Sequence, residues 1–338
     1  MAKQTPAGQI YAVGIDDGRA YTKLYAGNGQ QLKIRTSVKP GVHAGMAGLA
    51  ADSNQGSGVY TINGSQFTVG DRIAGEDTRF ADFDGSVINL MAIHHVLVRA
   101  GFSNEQVAIA TGLPVNSFYL GGAINEDYIE LKRDALSKPI EKFGDGGIPA
   151  IISKNIVFSE ALAAWMDHVL DEEGNILPGV DITSPVGVVD FGGRTFDTLW
   201  INPPGEIDHG RSGTTNIGVL NLFDLVGTAI KKEFKQEASR NMLEQAVSTK
   251  IITLYGETHD VTDIVAKAGA EIAEQAHRDI HRKFGSAIAE LSKIIFVGGG
   301  VAALPQIAEP FRNAVIPKDP EFANARGLYK FLRHTLEK

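Results

Sequence analysis

The stretch Val188–Asp197 reads VVDFGGRTFD, and it has an echo in Gly14–Lys23, GIDDGRAYTK. In both, an apolar, β-prone run ends on an aspartate, Asp190 or Asp16, directly before a glycine turn. An arginine, Arg194 or Arg19, follows in the turn. A third glycine turn, Gly298-Gly299-Gly300, closes the buried-type strand SKIIFV. Glycines at strand ends let backbone N–H groups face an anion with no Cβ in the way, which is the cradle that phosphates need. An aspartate beside phosphate oxygens is repelled unless a cation lies between. Mg²⁺ commonly binds through one or two carboxylates, waters and phosphate. Asp16 and Asp190 are therefore read as the metal-side carboxylates, and Asp17 as a residue that caps its own turn. The chain holds no G-x-x-x-x-G-K-[ST], which excludes a P-loop.

Outward from these turns, hairpin groups of strands followed by helices occur twice, the sign of a duplicated α/β unit. In the first half, Ile10–Ile15 and Ala20–Ala26 form a hairpin about DDGR. Residues 36–58, rich in Gly, Ala and Ser, are read as a long mobile loop. A second hairpin turns on Asn63-Gly64. Val87, Leu90, Met91, His94, Leu97 and Val98 recur at helical spacing from Ser86 to Ala100, and Gly101 stops that helix. QVAIATGLP and PAIISKNIVF read as strands, with a helix at Asn125–Ser137 between them and another beginning just past Ser159 and Glu160. The polar stretch DEEGNILPGVDITSP marks a boundary. Beyond it come VGVVD, TFDTLWI and EIDHGRSG as β-type runs. An amphipathic helix at Ile217–Phe234 and one or two helices across Val261–Phe284 follow. The strand SKIIFVGGG comes next, then a helix started by ALPQIAEPF and a last one in Pro320–Leu336. Trp165 and Trp200 sit in apolar patterns and are read as core.

The chain has 338 residues, 43% of them hydrophobic, which suffices for two ordinary domains. It contains no cysteine, which removes disulfides, thiol catalysis and cysteine-based zinc sites. His94-His95 lacks HExxH spacing, so no metal site is expected there. No signal peptide is visible, and no apolar run reaches the ~20 residues of a membrane span. A cytoplasmic, membrane-free protein is expected. A formal net charge of −8 with no basic run argues against direct contact with nucleic acid.

D-x-G-x-x-x-x-K in the first half, V-V-D-x-G-G-x-T-x-D in the second and V-G-G-G later form an ordered set. With ATGLPVNSFY at Ala110–Tyr119, FSEALAAW at Phe158–Trp165 and ANARGLYKFL at Ala323–Leu332, the chain resembles the actin, Hsp70 and sugar-kinase ATPase superfamily. Within it, the chain looks like the ParM/StbA plasmid-segregation actins. The resemblance implies an α/β, duplicated actin-like (ribonuclease H-like) two-domain fold with a nucleotide cleft between the domains. Domain I would span 1–180, with a mobile insertion at about 36–80, domain II 181–320, and 321–338 would return as a C-terminal helix to domain I. Asp16 and Asp190 would hold Mg²⁺ through water, and Lys23 would contact the β-phosphate. Glu160 would orient the attacking water, although a glutamate at a helix N-terminus is equally explained by the helix dipole.

Nucleotide contacts would come from Asp17, Gly18, Arg19, Gly192, Gly193, Arg194 and Thr195. Gly298, Gly299 and Gly300 would pass under the adenosine, with Lys232 and Glu233 flanking the base. Relatives more often carry Ser or Thr where Arg19 and Arg194 stand, so both side chains are open to an outward reading. The implied function is an ATP-hydrolysing filament, with GTP left open, that segregates plasmid DNA through a small adaptor at a centromere-like site. A small-molecule kinase of the sugar-kinase type and a chromosomal actin-like cytoskeletal protein are the alternatives. An Hsp70-like chaperone would need a further substrate domain.

Overall fold

A computed structural model describes residues 9–43, 56–71, 73–142 and 148–336. The chain divides into two compact units, Met1–Val180 with Phe322–Lys338, and Asp181–Glu321.

The first unit begins with β1 (Ile10–Asp17), β2 (Tyr21–Tyr25), β3 (Gln31–Arg35), β4 (Val38–Pro40), β5 (Ser57–Ile62) and β6 (Ser65–Gly70). It continues with α1 (Val87–Arg99), β7 (Gln106–Leu113), α2 (Val115–Phe118), β8 (Tyr119–Leu120), β9 (Ala123–Ile124), α3 (Glu126–Ser137), β10 (Glu141–Lys142), β11 (Ile151–Ser159) and α4 (Glu160–Val169). One sheet runs β11-β7-β1-β2-β3 and a second runs β10-β5-β6-β4. Strand periodicity gives the first sheet two unlike faces. Val13, Ile15, Val107 and Ile109 pack with the apolar side of α1, whereas Ala108 and Ala110 meet Ala163 of α4 and Leu328 and Leu332 of the C-terminal helix. The small residues on this second face admit helices at backbone distance. A Cβ on Gly14 of β1 would overlap the carbonyl of Ala325, and one on Gly327 would overlap the carbonyl of Ala163.

The second unit holds β12 (Val186–Phe191), β13 (Phe196–Asn202), β14 (Glu206–Ile207), β15 (Gly213–Thr215), α5 (Val219–Phe234), α6 (Arg240–Thr249), β16 (Ile251–Leu254) and β17 (Glu257–Asp260). After them come α7 (Thr262–Phe284), β18 (Lys293–Val297), α8 (Gly299–Ala303) and β19 (Ala314–Val315); α9 (Ala323–Leu336) belongs to the first unit. The sheet runs β14-β13-β12-β18-β19, with β15 on β13. Leu222, Val226 and Ile230 of α5 and Val265, Ile272, Ala276 and Ile280 of α7 form its core with Phe191, Phe196 and Trp200. The units repeat one motif. β1 pairs antiparallel with β2 and parallel with β7, and β12 pairs antiparallel with β13 and parallel with β18.

Several elements differ from the sequence reading. Val38–Pro40 is a strand paired with β6, so the loop expected at 36–58 is partly sheet, and 44–55 lie outside the described residues. In EIDHGRSG strand is confined to Glu206–Ile207 and to Gly213, where β15 begins, because Asp208 accepts the Arg211 amide and folds the residues between into a turn. Val261–Phe284 is one helix, not two. The helix expected at ALPQIAEPF starts earlier, on Gly299, and gives way to a 3₁₀ turn at Pro305–Ile307, where the proline lacks a helical donor. The type I′ hairpin at Asn63-Gly64 forms as expected, with φ of 48° and 77°. Trp165 and Trp200 are buried, as expected of core residues.

Two consequences can be measured. Gly327→Ala forces a methyl into the α4 backbone and should lower the unfolding free energy in urea by about 1–3 kcal/mol. Burial holds His94 down to about 4, against an ordinary value of 6.5. The unfolded chain thus takes up this proton first, and the stability His94 contributes is full above pH 6.5 and is lost as pH falls toward 4. Denaturation at pH 5 should show a deficit of about 2 kcal/mol relative to pH 7 that His94→Gln removes.

Candidate functional site

Both glycine turns are tight hairpins with the same register. In the first unit Asp16 lies opposite Lys23 and Asp17 opposite Thr22, which leaves Gly18 facing Tyr21 and Arg19-Ala20 at the tip. Lys23 Nζ donates to Asp16 Oδ2 at 2.6 Å, and both side chains are buried. In the second unit Asp190 lies opposite Asp197 and Phe191 opposite Phe196, the Gly192 amide donates to Thr195 O at 2.9 Å, and Gly193-Arg194 form the tip. With Asp16 and Asp190 aligned, Arg19 matches Gly193, and Arg194 matches Ala20. The two arginines are therefore not equivalent positions, contrary to the impression the sequence gives.

The same alignment matches Lys23 with Asp197, each seven residues beyond its aspartate (23 − 16 and 197 − 190). Asp197 is buried beside Asp190 and accepts a bond from the Thr214 hydroxyl. Asp197 stands in the V-V-D-x-G-G-x-T-x-D motif with no role assigned to it from the sequence. The seven-residue spacing was the signal for it.

The second turn is built to offer donors. The amides of Val219 and Leu220, the first of α5, bond to the carbonyls of Gly192 (3.2 Å) and Gly193 (2.9 Å). Gly218 is required there, since a Cβ would overlap the Gly193 carbonyl. Those two carbonyls are thereby occupied, while the Gly193 and Thr195 amides donate no hydrogen bond among the described residues. A hairpin whose carbonyls are satisfied and whose amides are available suits an acceptor ligand such as phosphate.

The three glycines after β18 have separate reasons. Gly298 has φ +94°, and its Cβ would stand 2.5 Å from Asp190 Oδ1 and overlap the Phe191 carbonyl; Gly300 lies against the Phe191 ring; a Cβ on Gly299 would meet nothing within 4 Å. Lys232 and Glu233 are exposed on the last turn of α5, where Lys235 Nζ donates to the Lys232 carbonyl. Among the described residues no three His, Asp or Glu side chains gather as direct metal ligands. Asp16 and Asp190 are each buried, one beside the turn of each unit.

One expectation about the first turn changes. Asp17 does not cap its own turn. Its carboxylate is buried, paired with Lys132 Nζ of α3 at 2.7 Å and accepting Asn89 Nδ2 of α1 at 2.6 Å. Strand alternation is the reason, because Asp17 shares the core face of Val13 and Ile15 while Asp16 takes the opposite face. Arg19 follows the outward reading. Its guanidinium donates to the carbonyls of Thr78 (2.9 Å) and Phe80, lies 3.7 Å from Asp84 and stacks over Phe83. Glu160 opens α4 with its stem against Gly112 at the end of β7, where a Cβ would stand 3.1 Å from Oε1.

Residues 11–171 match the family profile of plasmid segregation protein ParM, N-terminal, and residues 188–309 match that of archaeal actin homologue MreB-like, C-terminal. No curated protein sequence matches the chain significantly. Among solved structures, an archaeal actin homologue in complex with ADP has a TM-score of 0.76 at 18% identity, over 95% of this chain and 98% of that one. A 15-stranded ParM filament from Clostridium botulinum has a TM-score of 0.76 at 16% identity, over 96% of this chain and 99% of that one. The apo ParM of pSK41 has 0.67 at 18% identity, over 97% and 99%.

Because Arg19 is held by backbone carbonyls and a carboxylate, Arg19→Ala should cost about 2 kcal/mol of stability in urea denaturation. A change in the melt no larger than that of an exposed-site control would show that these contacts contribute little.

Proposed function

We propose, from the matches of residues 11–171 to the ParM N-terminal profile and of residues 188–309 to the archaeal actin MreB-like C-terminal profile, that the chain is an actin homologue that binds ATP with Mg²⁺, hydrolyses it and cycles between monomer and filament. The observation that carries the reading is the repeated hairpin, in which each unit ends a strand on a buried aspartate at the same register before a glycine turn. Phosphoryl transfer needs positioning and charge more than covalent chemistry from a protein, and these turns supply both.

In this reading the Gly193 and Thr195 amides bind phosphate oxygens, and Lys23, set beside Asp16, neutralises charge on the β-phosphate. Asp16 and Asp190 would hold a Mg²⁺ ion through water, and the ion would offset the negative charge of the phosphates. Glu160, at the start of α4, orients the water that attacks. Gly299, the open member of its triplet, lies under the adenosine, and Lys232 and Glu233 flank the base. Thr195 and Arg194 complete the second turn, as Gly18 and Arg19 do the first. Arg19 acts through its backbone, since its side chain is held by Thr78, Phe80 and Asp84.

The polymer would serve plasmid DNA segregation in the cytoplasm, coupled to DNA by a small adaptor at a centromere-like site. A net charge of −8 supports an adaptor over direct contact with DNA phosphates. The ParM segregation and filament relatives support this use of the fold.

Light scattering of the pure protein should rise on adding ATP and Mg²⁺ and decay as ATP is consumed. GTP in parallel assays decides the nucleotide. Glu160→Gln should slow turnover by about 100-fold or more and prolong the scattering signal while nucleotide affinity stays within a few-fold. No scattering rise over a broad range of protein concentration would sink the filament reading.

A further inference from the structure

Lys132 is 0% exposed, in the middle of α3. Removing an ammonium from water costs several kcal/mol, which only close acceptors can offset. It has three: Asp17 Oδ2 at 2.7 Å, Asp84 Oδ1 at 3.5 Å and the Gly112 carbonyl. Asn89 Nδ2 donates to Asp17 at 2.6 Å and to the Asp84 carbonyl at 3.2 Å, while Tyr128 and Arg19 reach Asp84 Oδ2 at 3.2 Å and 3.7 Å. The two carboxylates are thus balanced by two cations. Burial works against the Lys132 charge, but Asp17 and Asp84 outweigh it and hold its pKa above the ordinary lysine value, with Glu160 adding in the same direction.

The fold does not demand charge at this place. The second unit repeats the hairpin, and the position that corresponds to Asp17 is Phe191, a fully buried core aromatic. A structural ion pair could equally be replaced by apolar groups at little or no loss of stability. What distinguishes the first unit is what Lys132 touches. On one side is Asp17, next to Asp16 in the first phosphate hairpin. On the other is Gly112, over which the Glu160 side chain lies.

We propose that Lys132 is a positioning residue for ATP hydrolysis, locking the first phosphate hairpin, through Asp17, to the strand end on which Glu160 rests. This rests on the ATPase reading above. Lys132 touches neither nucleotide nor water in this role; it acts through Asp17 and Glu160.

The test uses the full chain. Lys132→Met alone strands two buried carboxylates and is expected to unfold readily, so the decisive variant is Lys132→Met with Asp17→Asn, which removes one cation and one anion together. It should fold, with a melt within a few degrees of wild type, and bind ATP within about threefold, yet lose about 10- to 100-fold in kcat with KM little changed. In a Glu160→Gln background the same pair of changes should add almost nothing to the loss, since both act on one group. Equal kcat in the double variant, or losses that multiply with Glu160→Gln, or an unfolded double variant, each overturns the proposal and makes the network a structural one. If wild type shows no ATP turnover, the ATPase reading fails and this proposal with it. If wild type turns over and the double variant matches it, only the role of Lys132 falls.

Discussion

No side chain fits at Gly14 or Gly327, and the first unit is organised around that fact. The C-terminal helix α9 crosses β1 at Gly14 and α4 at Gly327 with backbone against backbone, as close as two elements can pack. Asp167 of α4 then holds α9 with a two-pronged pair to Arg326, its nearest contact 2.8 Å, and a bond from Lys330 at 2.9 Å. Contacts this close permit little sliding, because dense interiors transmit displacement instead of absorbing it. β1 ends at Asp16 and Asp17, and α4 starts at Glu160. The position of one helix therefore fixes the ends of two elements on which the proposed chemistry depends.

The repeated hairpin shows how one backbone plan takes two electrostatic solutions. In the first unit Asp16 faces a lysine across the strands, and its charge is offset within the pair at 2.6 Å. In the second unit Asp190 faces Asp197, so two carboxyl groups are buried side by side at the cross-strand position where the first unit pairs a carboxylate with a lysine. Like charges at cross-strand positions are unfavourable unless hydrogen bonds or a cation compensate. The Thr214 hydroxyl serves Asp197.

Much of this was legible in the sequence, because the deciding signals are local. A strand that ends in Asp-x-Gly, a helix with Ser86 before it and Gly101 after, and an Asn-Gly turn each announce themselves within a few residues. The Asp17 role was not legible, since its partner Lys132 is 115 residues away (132 − 17) and only the pairing of β1 with β7 and the packing of α3 bring them together. The α6 helix and the β16–β17 hairpin were missed because α6 buries only Ala246 fully, and the hairpin turns on Tyr255-Gly256, where a tyrosine takes the φ of 51° that asparagine usually takes. The arginines misled for a different reason. They look alike in a string of letters, but register, not composition, decides which position of a two-residue tip a side chain occupies.

Two adjacent aspartates illustrate how a strand divides labour. Alternation sends Asp16 to one face and Asp17 to the other, so each requires its own cation, and each has one, Lys23 from the neighbouring strand and Lys132 from a helix packed on the far side. Had both carboxylates been left to a single lysine, one would stand buried and uncompensated at a cost of several kcal/mol. A hairpin built this way keeps Asp16 beside the turn because Asp17 anchors the strand from behind. The duplicate unit reaches the same end with an aromatic ring, Phe191, wedged against Gly300. Anchoring by packing suffices to hold a turn still. Anchoring by charge also reaches Gly112 and the residue that lies over it.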